Sequence, residues 1–135
     1  MPDATLIDTN VLLDLVTDDP DWAEWSIQQL DAAFLRGPLL INDIVYAETS
    51  IRFARIEDLE VLLIDGRLNM APLPRPALFL AGKVFQRYRA AGGTRTGVLP
   101  DFFIGAHAAV ADLPLLTRDA QRYRSYYPSV ALITP

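Results

Sequence analysis

Cysteine is absent from the 135-residue chain, which removes disulfide frameworks, thiolate metal sites and cysteine nucleophiles from consideration. Histidine occurs once, at His107, so neither a two-histidine ribonuclease mechanism nor a histidine-clustered zinc site can be assembled. No apolar run approaches the ~18 residues needed to span a bilayer. The start, Met1-Pro2-Asp3-Ala4, has neither the basic stretch nor the apolar core of a signal peptide. No Gly-x-x-x-x-Gly-Lys phosphate loop is present: Gly82-Lys83 has Ala77 where the first glycine belongs. No serine sits in a Gly-x-Ser-x-Gly elbow. The expectation is a soluble, cytoplasmic protein whose length suits one domain, residues 1–135, with a sizeable core drawn from 51% hydrophobic residues.

Charge is unevenly placed. Residues 1–65 hold 14 acids and 3 bases, whereas residues 66–135 hold 3 acids and 9 bases, for a net charge of −5. Eleven of the 12 bases are arginine, the side chain whose forked donors suit phosphate or carboxylate. An acidic whole argues against general coating of nucleic acid. An arginine-rich half can still hold a phosphate backbone locally, and an ordinary mixed surface has the same composition.

The apolar pattern predicts alternating strands and helices. Ala4-Thr5-Leu6-Ile7 reads as a buried strand ending in the capping residues Asp8-Thr9-Asn10. Ala23, Ile27, Leu30 and Phe34 mark a helix over 21–36 with one buried stripe, stopped by Gly37-Pro38. A strand at 39–41 follows, then a helix capped by Asn42 or Asp43, and another through Ile56, Leu59 and Leu63. Residues 68–73 read as a strand, 77–91 as a long helix and 94–99 as a loop. Pro100 opens a helix to about 112, followed by a strand at 115–117, a short helix at 120–124 and a strand at 130–134. This alternation predicts an α/β sandwich around a mostly parallel sheet.

Four acids stand where such a sheet binds ligands. Asp8 ends the first strand, and Asp119 follows the strand at 115–117 by two residues. Either could also cap the helix after it. Glu48 shares a face with Ile44, Ile51 and Arg55 to within about 60°, so it is expected to point inward. A half-exposed pair with Arg52 is the plainer alternative. Asp101 lies in the first turn of its helix, where it would complement the helix dipole, on a face continued by Ile104, Gly105 and Ala108. The small residues there predict close packing on the sheet. Two acids from strand ends and two from adjoining helices can converge on one crevice. Carboxylates that close raise one another's pKa unless a cation neutralises them. Oxygen donors without histidine or cysteine select Mg2+ or Mn2+, whose chemistry is metal-assisted phosphodiester hydrolysis. His107 falls about 120° from the Asp101 face and reads as structural.

At these residues the sequence resembles the PIN-domain family, and within it the VapC-type ribonuclease toxins of bacterial toxin–antitoxin pairs. The matching pieces are Ile7-Asp8-Thr9-Asn10-Val11-Leu12-Leu13-Asp14, Ala47-Glu48, Pro100-Asp101-Phe102-Phe103-Ile104-Gly105-Ala106-His107-Ala108 and Leu115-Leu116-Thr117-Arg118-Asp119. The tail from Arg122-Tyr123 to Pro135 continues the match, so the resemblance spans essentially the whole chain in order. It implies a three-layer α/β/α sandwich with about five strands, and a Mg2+- or Mn2+-dependent ribonuclease toxin. Asp8, Glu48, Asp101 and Asp119 match the family's acids, Asp8 and Asp101 as the main metal ligands. Asn10 and Thr117 match the polar residues that orient the acids or the substrate. Many relatives carry a further acid a few residues after the one matching Asp119, where this chain reads Arg122-Tyr123. The resemblance also implies a VapB-like antitoxin and a homodimer within the complex. Trp25, set about 170° from the helical stripe, and its neighbour Trp22 are candidate antitoxin anchors. Arg89, Arg95 and Arg118 are candidates for the RNA backbone.

Two other readings compete. A phosphoacceptor signalling domain has this length and alternation, but it needs an acidic pair after the first strand and a lysine ending the last. Here Asp8 has no adjacent acid, and the only lysine is Lys83 in mid-helix. A catalytically silent PIN-like binding module has the same fold, and the intact acid set argues against it.

Overall fold

The computed structural model describes residues 3–94 and 99–135. β1 (Thr5–Ile7) is buried along its whole length, as a strand covered on both faces must be. It is followed by α1 (Thr9–Val16), α2 (Ala23–Arg36), β2 (Leu39–Ile41), α3 (Asp43–Ser50), α4 (Ile56–Asp65) and β3 (Leu68–Met70). The second half runs α5 (Arg75–Ala90), α6 (Pro100–Ala111), β4 (Leu115–Leu116), α7 (Ala120–Tyr126) and β5 (Leu132–Ile133). The strands pair in the order β3-β2-β1-β4-β5, every pairing parallel, with helices flanking the sheet. The expected α/β architecture with a five-stranded parallel sheet is present.

The chain steps outward from β1 to β2 and β3, then returns to place β4 on the other side of β1. Strand order reverses there, and the crevice outside the carboxyl ends at such a reversal is where open α/β sheets bind ligands. The register Ile7↔Leu116 and the bond from the Asp8 N–H to the Leu116 carbonyl, 2.9 Å, bring Asp8 and Thr117 together at that edge. Behind them Leu6, Ile7, Leu39, Ile41, Leu115 and Leu116 meet Val11, Leu12, Val45 and Ile104 in one buried cluster. Each such side chain contributes about 1.5–3 kcal/mol on burial, so the edge is anchored by fully buried core residues.

Several local expectations are corrected. The buried stripe of α2 is Ala23, Ser26, Leu30 and Ala33, and Ile27 and Phe34 lie exposed beside it. Two bulky residues on the stripe's flank pulled the apparent stripe one position along the helix. α3 buries Val45 and Thr49, with Ile44 only half-buried and Ile51 outside the helix at 80% exposure. β3 stops at Met70 instead of reaching residue 73, where Pro72 and Pro74 offer no ladder donor. α5 begins at Arg75 because Pro76 fits a first turn, whose N–H groups have no partner in the helix. Trp25 is half-buried against the core and does not point clear of it. Gly105 serves a different neighbour from the sheet. A Cβ there would collide with the ring of Tyr127, whose hydroxyl donates to the Phe102 carbonyl at 2.6 Å. Among the described residues no helix is long and apolar enough to cross a membrane.

Candidate active site

Asp8 does two jobs with its two oxygens. Its Oδ1 caps α1 by accepting the Thr9 N–H at 2.7 Å. Its Oδ2 accepts the Thr117 hydroxyl at 2.7 Å, the Tyr123 hydroxyl at 3.1 Å and the Asn10 amide at 3.4 Å. Asp8 therefore caps α1 with one oxygen and ties the strand ends together with the other. Asp8 is only 4% exposed, and desolvation pushes its pKa up to about 6, with the nearby Asp101 charge adding to the rise and the donors opposing it.

Thr117 and Asn10 stitch the two strand ends together. The Thr117 hydroxyl accepts the Asp119 N–H at 3.0 Å while donating to Asp8, and Asn10 Oδ1 accepts the Arg118 N–H at 3.2 Å. Asp119 occupies the N-cap position of α7 without capping it, so its carboxylate is available elsewhere. Glu48 is half-buried and accepts the Thr9 hydroxyl at 2.6 Å, tying α3 to the start of α1. The inward direction expected for Glu48 holds, but the neighbours that set it are Val45 and Thr49. α3 is itself held by Asn42, whose Oδ1 accepts the N–H groups of Ile44 and Val45 at 3.1 and 3.0 Å. That leaves the Asn42 amide to donate to His107 Nδ1 at 3.1 Å, an acceptor only in the neutral ring. Burial lowers the His107 pKa, against a smaller opposing pull from Asp43, which favours that neutral form. His107 lies on α6, so this one buried bond joins the helices that carry Glu48 and Asp101.

Asp101 reaches the edge from the first turn of α6. Its Oδ1 accepts the Tyr123 hydroxyl at 3.4 Å, and its Oδ2 receives Arg122 Nη1. Arg122 Nε also stands 3.4 Å from Asp119 Oδ2. Tyr123 is almost wholly buried between Asp8 and Asp101. Desolvation, followed by those two charges, raises its pKa far above the ordinary value, so it stays a donor. A cavity of about 440 Å3 opens beside these groups, lined by Glu48, Asp101, Arg122 and Tyr123 on its polar side and by Tyr88 and Tyr126 among the rings.

All four expected acids thus belong to one edge of the sheet, with Asn10 and Thr117 bridging it. Among the described residues, no three acidic or histidine side chains stand close enough to hold an ion as they are placed. The donor set nevertheless fits a hard cation chemically: it offers oxygen only, and the buried Asp8 carboxyl lacks a full counter-charge. Arg122 and Tyr123 were not among the expected site residues. Their signal was spacing, since positions three and four beyond Asp119 share its face of a helix.

The remaining candidates lie outside this cluster or off the described chain. Arg118 donates from Nε and Nη2 to Asp14 at 2.7 and 2.8 Å, and its guanidinium lies 4.9 Å from the Trp22 ring centre. It is therefore committed to a buried carboxylate and does not stand open to a phosphate backbone. Asp14, which also accepts the Ser26 hydroxyl at 2.7 Å, was missed, although an acid three residues after buried Val11 was the clue. Trp22 and Trp25 pack edge to face at 5.9 Å, so they form part of this cluster. Arg89 is exposed near the end of α5, and Arg95 falls outside the described residues.

An all-parallel sheet with carboxylates gathered at its switch point defines an α/β protein with an acidic site. The family model of the PIN domain matches residues 5–126, and the chain belongs to that family. The fold also matches solved structures. A chain in the crystal structure of VapBC2 from Rickettsia felis bound to a promoter DNA fragment aligns with a TM-score of 0.73 at 18% identity, over 98% of both chains. A chain of a toxin–antitoxin complex from Klebsiella pneumoniae gives 0.68 at 22% identity over 97% of each, and one of VapBC-1 from nontypeable Haemophilus influenzae gives 0.69 at 17% over 97% of each. At these identities the likeness is one of fold. A comparison with curated protein sequences gives no match.

Proposed function

We propose that this chain is an endoribonuclease toxin of the VapC type, hydrolysing RNA phosphodiester bonds with Mg2+ or Mn2+ and held in check by a VapB-like antitoxin. The observation that carries the reading is the sharing of one buried hydroxyl, Tyr123, by Asp8 and Asp101 at the switch point, where Glu48 faces the same cavity. Asp8 and Asp101 would hold the ion, with Glu48 and Asp119 completing the set directly or through water. Bound there, a divalent ion supplies the Lewis acidity that hydrolysis of a phosphodiester needs. Thr117 and Asn10 fix the rotamer of Asp8, Thr9 fixes Glu48, and Tyr123 keeps a proton between the two inner carboxylates. Arg89 is a candidate contact for the RNA backbone, consistent with the basic second half. The antitoxin partner is supported by membership of the PIN family and by likeness to toxin–antitoxin structures, and a homodimer within that complex belongs to the same proposal.

The test is cleavage of labelled structured and single-stranded RNA by the purified chain in Mn2+, Mg2+ or EDTA, beside a folded Asp101→Asn variant. The expected result is cutting that needs metal and disappears in the variant. Cutting that survives EDTA or the substitution would overturn the mechanism. A folded chain that binds metal yet cuts no RNA would leave two readings, extreme target selectivity or the silent binding module.

A further inference from the structure

Arg122 is the one cation that touches the acid set among the described residues, and it touches two of its members from different elements. Its Nη1 reaches Asp101 on α6, and its Nε faces Asp119 at the head of its own helix. Arg122 holds one oxygen of Asp101, and the Tyr123 hydroxyl, 3.1 Å from Asp8, stands 3.4 Å from the other. A divalent ion at this edge needs a lone pair from those same oxygens, and a guanidinium and a metal ion repel each other at contact distance. The fold therefore supplies its own positive charge between two of the carboxylates that share this edge.

We propose that Arg122 is the resident counter-ion of the carboxylate site, and that a divalent cation binds by displacing its guanidinium from Asp101 and Asp119. This rests on the reading that these acids hold metal. Displacement is sterically open. The Arg122 side chain is 55% exposed and lies at the rim of the cavity, so it can turn outward into water without unpacking the core. It is the reverse of an arginine that anchors structure: its partners are the groups the chemistry needs, and its withdrawal leaves carboxylates that reach solvent, at 23% and 41% exposure.

The experiment is calorimetric titration of Mn2+ alone into the wild-type chain and Arg122→Gln, with Asp101→Asn as the control that should lose binding. Arg122→Gln is expected to bind Mn2+ about tenfold more tightly than wild type, a difference of 1.4 kcal/mol. Equal or weaker binding by Arg122→Gln would overturn the proposal while leaving the metal site intact. No binding by wild type or Arg122→Gln at millimolar Mn2+ would overturn the metal reading itself, and the proposal with it. A second measurement reads the arginine directly. Mg2+ titrated into the wild-type chain should shift the Arg122 Nε–H resonance and leave that of Arg118 in place. An unmoved Arg122 signal at saturation would contradict displacement.

Discussion

Arg118 and Arg122 stand four residues apart between β4 and the middle of α7, and each pairs with aspartate, yet the two pairs are built for opposite ends. Asp14, the partner of Arg118, is 2% exposed, and it receives two guanidinium nitrogens and a serine hydroxyl. The partners of Arg122 are 23% and 41% exposed at the mouth of a cavity, and the arginine itself is 55% exposed. Burying a charge pair makes it indispensable without making it strongly stabilising, because removing one member strands the other. Leaving a pair half-exposed makes it exchangeable. One arginine locks α1 to the loop that carries Thr117 and Asp119, while the other guards the acids that this loop presents.

The contrast is broken most severely at Asp14. Asp14→Ala should cost about 3 kcal/mol, since it strands the Arg118 guanidinium and the Ser26 hydroxyl. Urea denaturation would show it, and a loss below ~1 kcal/mol would mean that the pair is no lock. Asp8→Asn tests how the protonation of this carboxyl is coupled to folding. The folded chain holds the Asp8 proton up to about pH 6, against an ordinary value of 3.8, so the Asp8 carboxyl favours folding at low pH. That contribution is complete below pH 3.8 and is lost as pH rises through about 6. Wild-type stability should therefore decline between about pH 4 and 6 in the metal-free chain, and Asp8→Asn, which has no such proton, should lack that decline. The variant should also fail to cut RNA. His107 titrates in both proteins, so the difference between them isolates Asp8.

Asn42→Ala should cost about 2 kcal/mol, by loss of the α3 cap and of the donor to His107. Because the His107 pKa is lowered in the fold, its contribution is present above about pH 6.5 and is lost on acidification. Thermal melts of wild type and Asn42→Ala across pH 5–8 would check both statements. The smallest change is expected at the rim: Arg122→Gln should alter stability by less than ~1 kcal/mol in the absence of metal. A loss as large as that of Asp14→Ala would erase the distinction between the two arginines.

Much of this site is legible in the sequence because it depends on where strands end. Asp8 and Asp119 follow short apolar runs, and Asp101 follows a proline that opens a helix, so local signals alone place them at one edge. Glu48 required a helix face, and the face was drawn through the wrong residues, since Ile51 lies beyond the end of α3. Arg122 and Tyr123 depend on how a seven-residue helix lies across the sheet edge, which tertiary packing decides and periodicity does not. Asp14 illustrates a different failure. An acid on an apolar face was visible in α1, but its partner lies 104 residues away.

The most direct test of the account is the anomalous scattering of crystals soaked in Mn2+. We predict a peak between the carboxylates of Asp8 and Asp101, with the Arg122 guanidinium withdrawn from Asp101. No peak at this edge under saturating Mn2+, or a peak seated away from these acids, would contradict the assignment of the switch-point carboxylates as a metal site.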